Sequence, residues 1–177
     1  TPKKIYKNIV VLDAGHGGSD AGAVGNRLYE KVLNLKIAQY CKAELEKYQG
    51  VKVYMTRESD RYLSLEQRVA NASAVKADVF VSLHINSAAV ASANGAEVYY
   101  PNSNYRPSIR TKKKKLAGAI QKNLTALGLR NRGLKTANSV IGTSYPDGST
   151  ADYYAVIRGA KKAGFPGIIV EHGFISN

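Results

Sequence analysis

Apolar positions along the chain follow two different periods, and the two alternate. Ile9-Val10-Val11-Leu12 is a continuous apolar run, which predicts a strand buried on both faces. Over 30–48, Leu33, Ile37, Cys41, Leu45 and Tyr48 recur every three or four residues between Lys, Gln and Glu. That is the stripe of an amphipathic helix, ended by Gln49-Gly50. Val51-Lys52-Val53-Tyr54-Met55-Thr56 alternates and predicts a strand. Ser64 with Gln67 three residues on is a capping-box pattern. It predicts a second helix with Leu65, Val69, Ala72 and Val75 on its apolar face.

Val79-Phe80-Val81-Ser82-Leu83 then predicts a buried strand running into His84. Ala96-Glu97-Val98-Tyr99-Tyr100 predicts another, stopped by Pro101. Residues 102–110 are polar and contain proline, so they read as a loop. Leu116, Ile120, Leu124 and Leu127 mark a third helix closed by Gly128. Periodicity is weak over 131–148, and 153–157 suits a strand or a helical turn equally. Gly167-Ile168-Ile169-Val170 is a short apolar strand that delivers Glu171-His172-Gly173. Strands alternate with helices without repeat or linker. The pattern predicts one α/β domain over 1–177, a mostly parallel or mixed twisted sheet with helices on both faces.

Composition alters this picture chiefly through charge. A chain of 177 residues, 44% hydrophobic and 22% charged, has the make-up of an ordinary globular domain. No apolar run is long enough to cross a bilayer. The net charge of +13 is high for this length. It draws the protein toward polyanions: nucleic acid, anionic lipid or acidic wall polymers. The lysines at 112–115 read as a solvated helix face, or as a hold on such a polymer. No nucleic-acid motif is present, and neither G-x-G-x-x-G nor a P-loop lysine supports a phosphate cradle. Cys41 is the only cysteine, which excludes a disulfide framework and a thiolate metal cluster within the chain. It reads as a small core residue. Thr1 in place of a start methionine suggests a mature or excised chain whose export signal lies outside it.

The candidate chemistry gathers where strands end, and carboxyl ends of strands in an α/β sheet face the ligand crevice. His16 sits in the glycine-rich loop Asp13-Ala14-Gly15-His16-Gly17-Gly18, His84 ends a second apolar run, and Glu171-His172 ends a third. Glu30 opens the helix after the first junction. Two imidazoles and a carboxylate, with a fourth position open, form a common catalytic zinc set. A separate carboxylate can then move protons. Each residue also has a plainer reading. His16 could sit in a polar turn, and His84 could be a core histidine bonded to a carbonyl. A glutamate in a helix's first turn is favoured by about 0.3–1 kcal/mol without any metal. Glu171 and His172 are strand neighbours and point to opposite faces, so only one enters the site. If His172 entered, the site would hold three histidines with Glu30 as the base.

Taken in order, Val11-Leu12-Asp13-Ala14-Gly15-His16-Gly17-Gly18, Glu30-Lys31, Ser82-Leu83-His84-Ile85-Asn86 and Ile169-Val170-Glu171-His172-Gly173-Phe174 resemble the zinc-dependent N-acetylmuramoyl-L-alanine amidases of the amidase-3 type. Thr56-Arg57-Glu58-Ser59-Asp60, residues 65–68 and Ala70-Asn71 fit the same pattern. The resemblance runs from about Ile9 to the last residue and is weakest between 101 and 138. It implies that His16, Glu30 and His84 bind Zn2+ and that Glu171 is the catalytic carboxylate. It also implies that peptidoglycan is the substrate, cut between N-acetylmuramic acid and L-alanine. An extracytoplasmic enzyme, secreted or wall-associated, is expected. It would be monomeric, with anionic wall polymers as further partners and no nucleic acid.

Two departures from the family pattern stand out. Asn26-Arg27-Leu28-Tyr29 occupies the place of a second glycine, and the chain stops at Phe174-Ile175-Ser176-Asn177, where the family usually continues into a terminal helix. Arg57 and Arg68 are expected to be structural, paired with carboxylates such as Asp60 or Glu66. Tyr99, Tyr100, Tyr105, Tyr145, Tyr153 and Tyr154 are candidates for substrate contact. The competing reading is a non-catalytic basic module for wall polyanions or nucleic acid. Salt-sensitive binding without chelator-sensitive hydrolysis would mark it.

Overall fold

The computed structural model describes residues 6–177, except for the side chains at 111–113. The chain begins with β1 (Asn8–Ala14), a ribbon of β2 (Val24–Gly25) and β3 (Leu28–Tyr29), α1 (Glu30–Leu45) and β4 (Val51–Met55). It continues through α2 (Leu65–Ala74), β5 (Val79–Asn86), β6 (Ala96–Tyr99) and α3 (Pro107–Ala126). The last elements are β7 (Asn131–Lys135), α4 (Ala155–Ala163) and β8 (Gly167–Phe174). Six strands form one sheet in the order β4-β1-β5-β8-β6-β7. β4, β1, β5 and β8 run parallel, and β6 turns antiparallel to β8 with β7 parallel to it. The sheet is therefore mixed.

Helices cover both faces, which is why the central strands are apolar on both sides. Leu12, Ala14, Val81, Leu83, Val98, Ile168 and Val170 pack with Ala38 of α1 and Ala117 of α3. On the opposite face Val11, Phe80 and Ile169 pack with Ala72 of α2 and with Val156, Ile157 and Ala160 of α4. Cys41 is a half-buried free thiol against the first of these layers.

Several elements differ from their sequence signals for identifiable reasons. α1 stops at Leu45, leaving Tyr48 exposed, and its fully buried line is Glu30, Asn34 and Ala38. The capping box of α2 is present, with Ser64 Oγ accepting from the Gln67 amide and Gln67 Oε1 from the Ser64 amide. Its buried residues are Arg68 and Ala72, while Leu65 is half exposed. α3 begins at Pro107, inside the expected loop, because proline's fixed φ suits a helix's first turn. Lys114 and Lys115 are exposed, whereas the side chains of Lys112 and Lys113 lie outside the described residues. β7 forms where periodicity is weak, around Gly133 and beside an irregularity in β6. The stretch at 153–157 resolves into the start of α4. β5 runs on through His84, and β8 contains Glu171 and His172.

The loop lacking a second glycine folds as the β2-β3 hairpin. Its two turn residues, Asn26 and Arg27, both take left-handed backbone with φ of 50° and 61°. That conformation suits a two-residue hairpin, with Asn tolerating it better than Arg. Asn26 Nδ2 donates to the Ile175 and Asn177 carbonyls at 3.0 Å, tying the hairpin to the chain's last residues.

Candidate metal centre

Three elements bring the site together at the carboxyl ends of β1 and β5. His16 follows β1, Glu30 is the first residue of α1, and His84 lies on β5. One ligand atom from each lies within 4.8 Å of the others. Glu30 is buried between the two rings, its Oε2 3.2 Å from His16 Nε2 and its Oε1 2.9 Å from His84 Nδ1. The amides of Ala23 and Ile85 donate to the same carboxylate at 2.8 and 3.0 Å, and Asn34 Nδ2 at 3.2 Å. Burial pushes the Glu30 carboxyl up, but bonds from His16 and His84 outweigh it and hold it well below the usual range. His16 Nδ1 lies 2.8 Å from Asp20 Oδ2. A carboxylate behind a histidine in this way fixes ring orientation and frees the other nitrogen for a metal.

Close approach explains the glycines. A Cβ on Gly15 would lie 2.3 Å from His84 Cε1, and one on Gly22 2.6 Å from His16 Cδ2 and 2.7 Å from Glu30 Oε2. His16 itself has φ of +62°, a conformation that costs a non-glycine residue about 1–2 kcal/mol. Two buried guanidiniums hold the loop in place. Arg57 donates to the carbonyls of Ala14, Gly15 and Lys31, and Arg68 to those of Ala14 and His16. Arg68 also pairs with buried Asp13 at 2.8 Å, which accepts from Thr56 and Ser82 as well. Both arginines are structural, but their partners differ from those expected. Asp60 pairs with Lys31, and Glu66 accepts from Ser64. The carbonyls at the end of β1 and Asp13 are the nearer acceptors.

Glu171 is the direct cross-strand neighbour of His84 on β5 and of Glu97 on β6. Partners opposite one another share a sheet face, so His84, Glu171 and Glu97 form a row. Oε2 of Glu171 is sealed from solvent and has no hydrogen-bond partner among the described residues. Burial is the main reason its carboxyl is pushed up to about 7. His172 falls on the opposite face by alternation. There its Nδ1 lies 3.2 Å from the His84 carbonyl oxygen, and burial lowers its pKa. The structure thus brings His16, Glu30, His84 and Glu171 together and leaves His172 out.

A cleft lined by His16, Asp20, Tyr62, Leu63, His84 and Tyr154 opens beside these groups. Of the candidate tyrosines, Tyr154 lines it and Tyr153 is exposed. Tyr100 and Tyr145 are buried, with Tyr105 stacked on Tyr145. Tyr99 donates to Glu97. Pattern reasoning missed Asp20, Asn34, Tyr62 and Glu97. Asn34 alone left a signal, a polar residue one turn after Glu30 on a helix face that should be apolar.

The donor set fits zinc: two imidazoles and one carboxylate converge, and a second carboxylate waits nearby without a partner. A sequence profile for the family described as Amidase_3, N-acetylmuramoyl-L-alanine amidase, matches residues 10–177. The chain belongs to that family. This amidase-family domain is 40% identical to the uncharacterized protein YqiI of Bacillus subtilis, over 95% of this chain and 70% of that protein. It is 37% identical to the N-acetylmuramoyl-L-alanine amidase LytC of the same organism, over 95% of this chain but 29% of LytC. The chain thus spans under a third of that amidase's length. Among solved structures, the catalytic domain of CwlV, an N-acetylmuramoyl-L-alanine amidase from Bacillus (Paenibacillus) polymyxa var. colistinus, superposes with a TM-score of 0.75. Identity to it is 36%, over 96% of this chain and 82% of that one.

Proposed function

We propose that this amidase domain hydrolyses the amide between N-acetylmuramic acid and L-alanine in peptidoglycan, with zinc held by His16, Glu30 and His84. The observation that carries this reading is the convergence of those three donors beside Glu171, whose Oε2 has no partner. When bound, zinc supplies Lewis acidity, polarising a carbonyl and acidifying water. The rest falls to the chain's own residues. Asp20 fixes the His16 ring, while Ala23, Ile85 and Asn34 keep Glu30 ionised and oriented. Glu171 accepts the proton of the attacking water and returns it to the departing L-alanine nitrogen. A carboxyl near neutrality can do both, because each transfer is then close to balanced.

Such chemistry belongs outside the cytoplasmic membrane, at the wall. Among the described residues no helix is long and apolar enough to cross a membrane. Elemental analysis of the purified chain, paired with an assay of peptidoglycan, tests the reading. One zinc per chain is expected. Release of free L-alanine amines should be abolished by a chelator and restored by zinc. Metal-independent release would sink the proposal. Salt-sensitive binding without hydrolysis would favour the non-catalytic basic module.

A further inference from the structure

The row that carries His84 and Glu171 continues outward through Glu97 of β6 to Arg132 of β7. Glu97 is fully buried. Its Oε2 accepts from Lys135 Nζ at 2.6 Å and from Arg132 Nε at 2.8 Å. Its Oε1 accepts from Tyr99 Oη at 3.0 Å and Asn86 Nδ2 at 3.2 Å. One carboxylate thus faces two cations, so one positive charge is in surplus. Arg132 is gripped on two sides, with Nε on Glu97 and its guanidinium plane over the Phe174 ring at 4.7 Å. Its two terminal nitrogens meet no acceptor among the described residues, and the side chain is 32% exposed. A planar fork held this way is preorganised for two parallel bonds to a carboxylate, which a flexible lysine is not.

We propose that Arg132 is a specificity-determining contact of the site, receiving a free carboxylate on the residue that follows L-alanine in the stem peptide. This rests on the amidase reading, since Glu171 must mark the scissile amide. Neighbouring strands lie about 4.8 Å apart, so β7 stands about 10 Å from β8. The Arg132 head reaches back across half of that gap to Glu97. An extended residue covers about 3.3–3.6 Å. A carboxylate one residue past the L-alanine therefore falls within reach of the fork when the peptide leaves the metal along the row. Lys135 answers the charge of Glu97, which leaves that of Arg132 for the substrate.

The test uses two synthetic muramoyl peptides that differ only at the second residue, one with a free carboxylate and one with the primary amide. Their kcat/KM values are compared on the zinc-loaded chain, on Arg132→Gln and on Arg132→Lys. Calorimetric binding of the corresponding released dipeptides gives a readout independent of turnover. Wild type is expected to favour the acid roughly tenfold or more, the scale of one charge-assisted pair. Arg132→Gln should collapse that ratio toward one, and Arg132→Lys should restore part of it. Equal use of acid and amide by wild type would overturn the role of Arg132 while leaving the amidase reading intact. So would an unchanged ratio in Arg132→Gln. Cleavage of neither peptide by wild type would overturn both.

Discussion

Glu97 and Glu171 stand opposite each other on adjacent strands, yet they are treated in opposite ways. Every lone-pair direction of Glu97 is addressed, by Lys135, Arg132, Tyr99 and Asn86. Burial alone would raise its carboxyl, but those bonds outweigh burial and pull it below its ordinary value. Glu171 has a sealed oxygen with no partner and is pushed up to about 7. Residue type, sheet face and strand position are shared, so partners alone hold one carboxyl low and leave the other near neutrality, as the proposed role of Glu171 in proton transfer requires.

The largest effect should come from removing the proposed carrier, Glu171. Glu171→Gln is expected to retain zinc, measured by elemental analysis, and to lose at least 10²–10⁴-fold in turnover, roughly the scale of general acid–base catalysis. Near-normal turnover would take Glu171 out of the mechanism. The same variant relieves a buried carboxylate without a partner, so its metal-free fold should be no less stable than wild type in urea.

Glu97→Gln should behave in the reverse sense. It leaves two cations without their counter-charge, and because both are about a third exposed, water softens the loss to about 2 kcal/mol. A cost as small as that of a surface ion pair would mean that Glu97 is not the fixed anion described. The pH dependence sharpens this point. A carboxyl with a depressed folded pKa contributes stability that is complete above the ordinary value of 4.5, and it is lost as pH falls below that value. The stability gap between wild type and Glu97→Gln should therefore be flat near neutrality and close in acid. A gap unchanged at about pH 3 would contradict the pairing. Tyr99→Phe removes one bond to an oxygen that Asn86 still serves, and should cost about 1 kcal/mol by the same measurement.

Much of this arrangement was legible in the sequence, and the exceptions share a cause. Runs such as Val79-Phe80-Val81 and the box at Ser64 and Gln67 announced β5 and α2, because burial and capping are local properties. His16, His84 and Glu171 stand out at strand ends and Glu30 at a helix start. Their roles, and the choice of Glu171 over His172, come from the resemblance to the amidase family, since alternation says only that one of the two neighbours enters the site. β7 escaped because Asn131-Arg132-Gly133-Leu134-Lys135 has neither alternation nor β-branched residues. Arg132 and Lys135 both contact Glu97, a pairing visible only once β6 lies alongside. The partners of Arg57 and Arg68 were misassigned for a similar reason. Nearby carboxylates in sequence are no guide when folded carbonyls come closer.

The placement of β8 has a consequence for the order of assembly. β8, the last of the described strands in chain order, lies in the middle of the sheet, between β5 and β6. Until it inserts, β4-β1-β5 and β6-β7 are separate pieces with open edges, and the row from His84 to Arg132 is broken at its centre. With β8 out of place, the sheet holds the three proposed metal donors but not Glu171, the proposed proton carrier. On the proposed reading, Glu171 joins the three candidate ligands only when β8 fills the gap between β5 and β6.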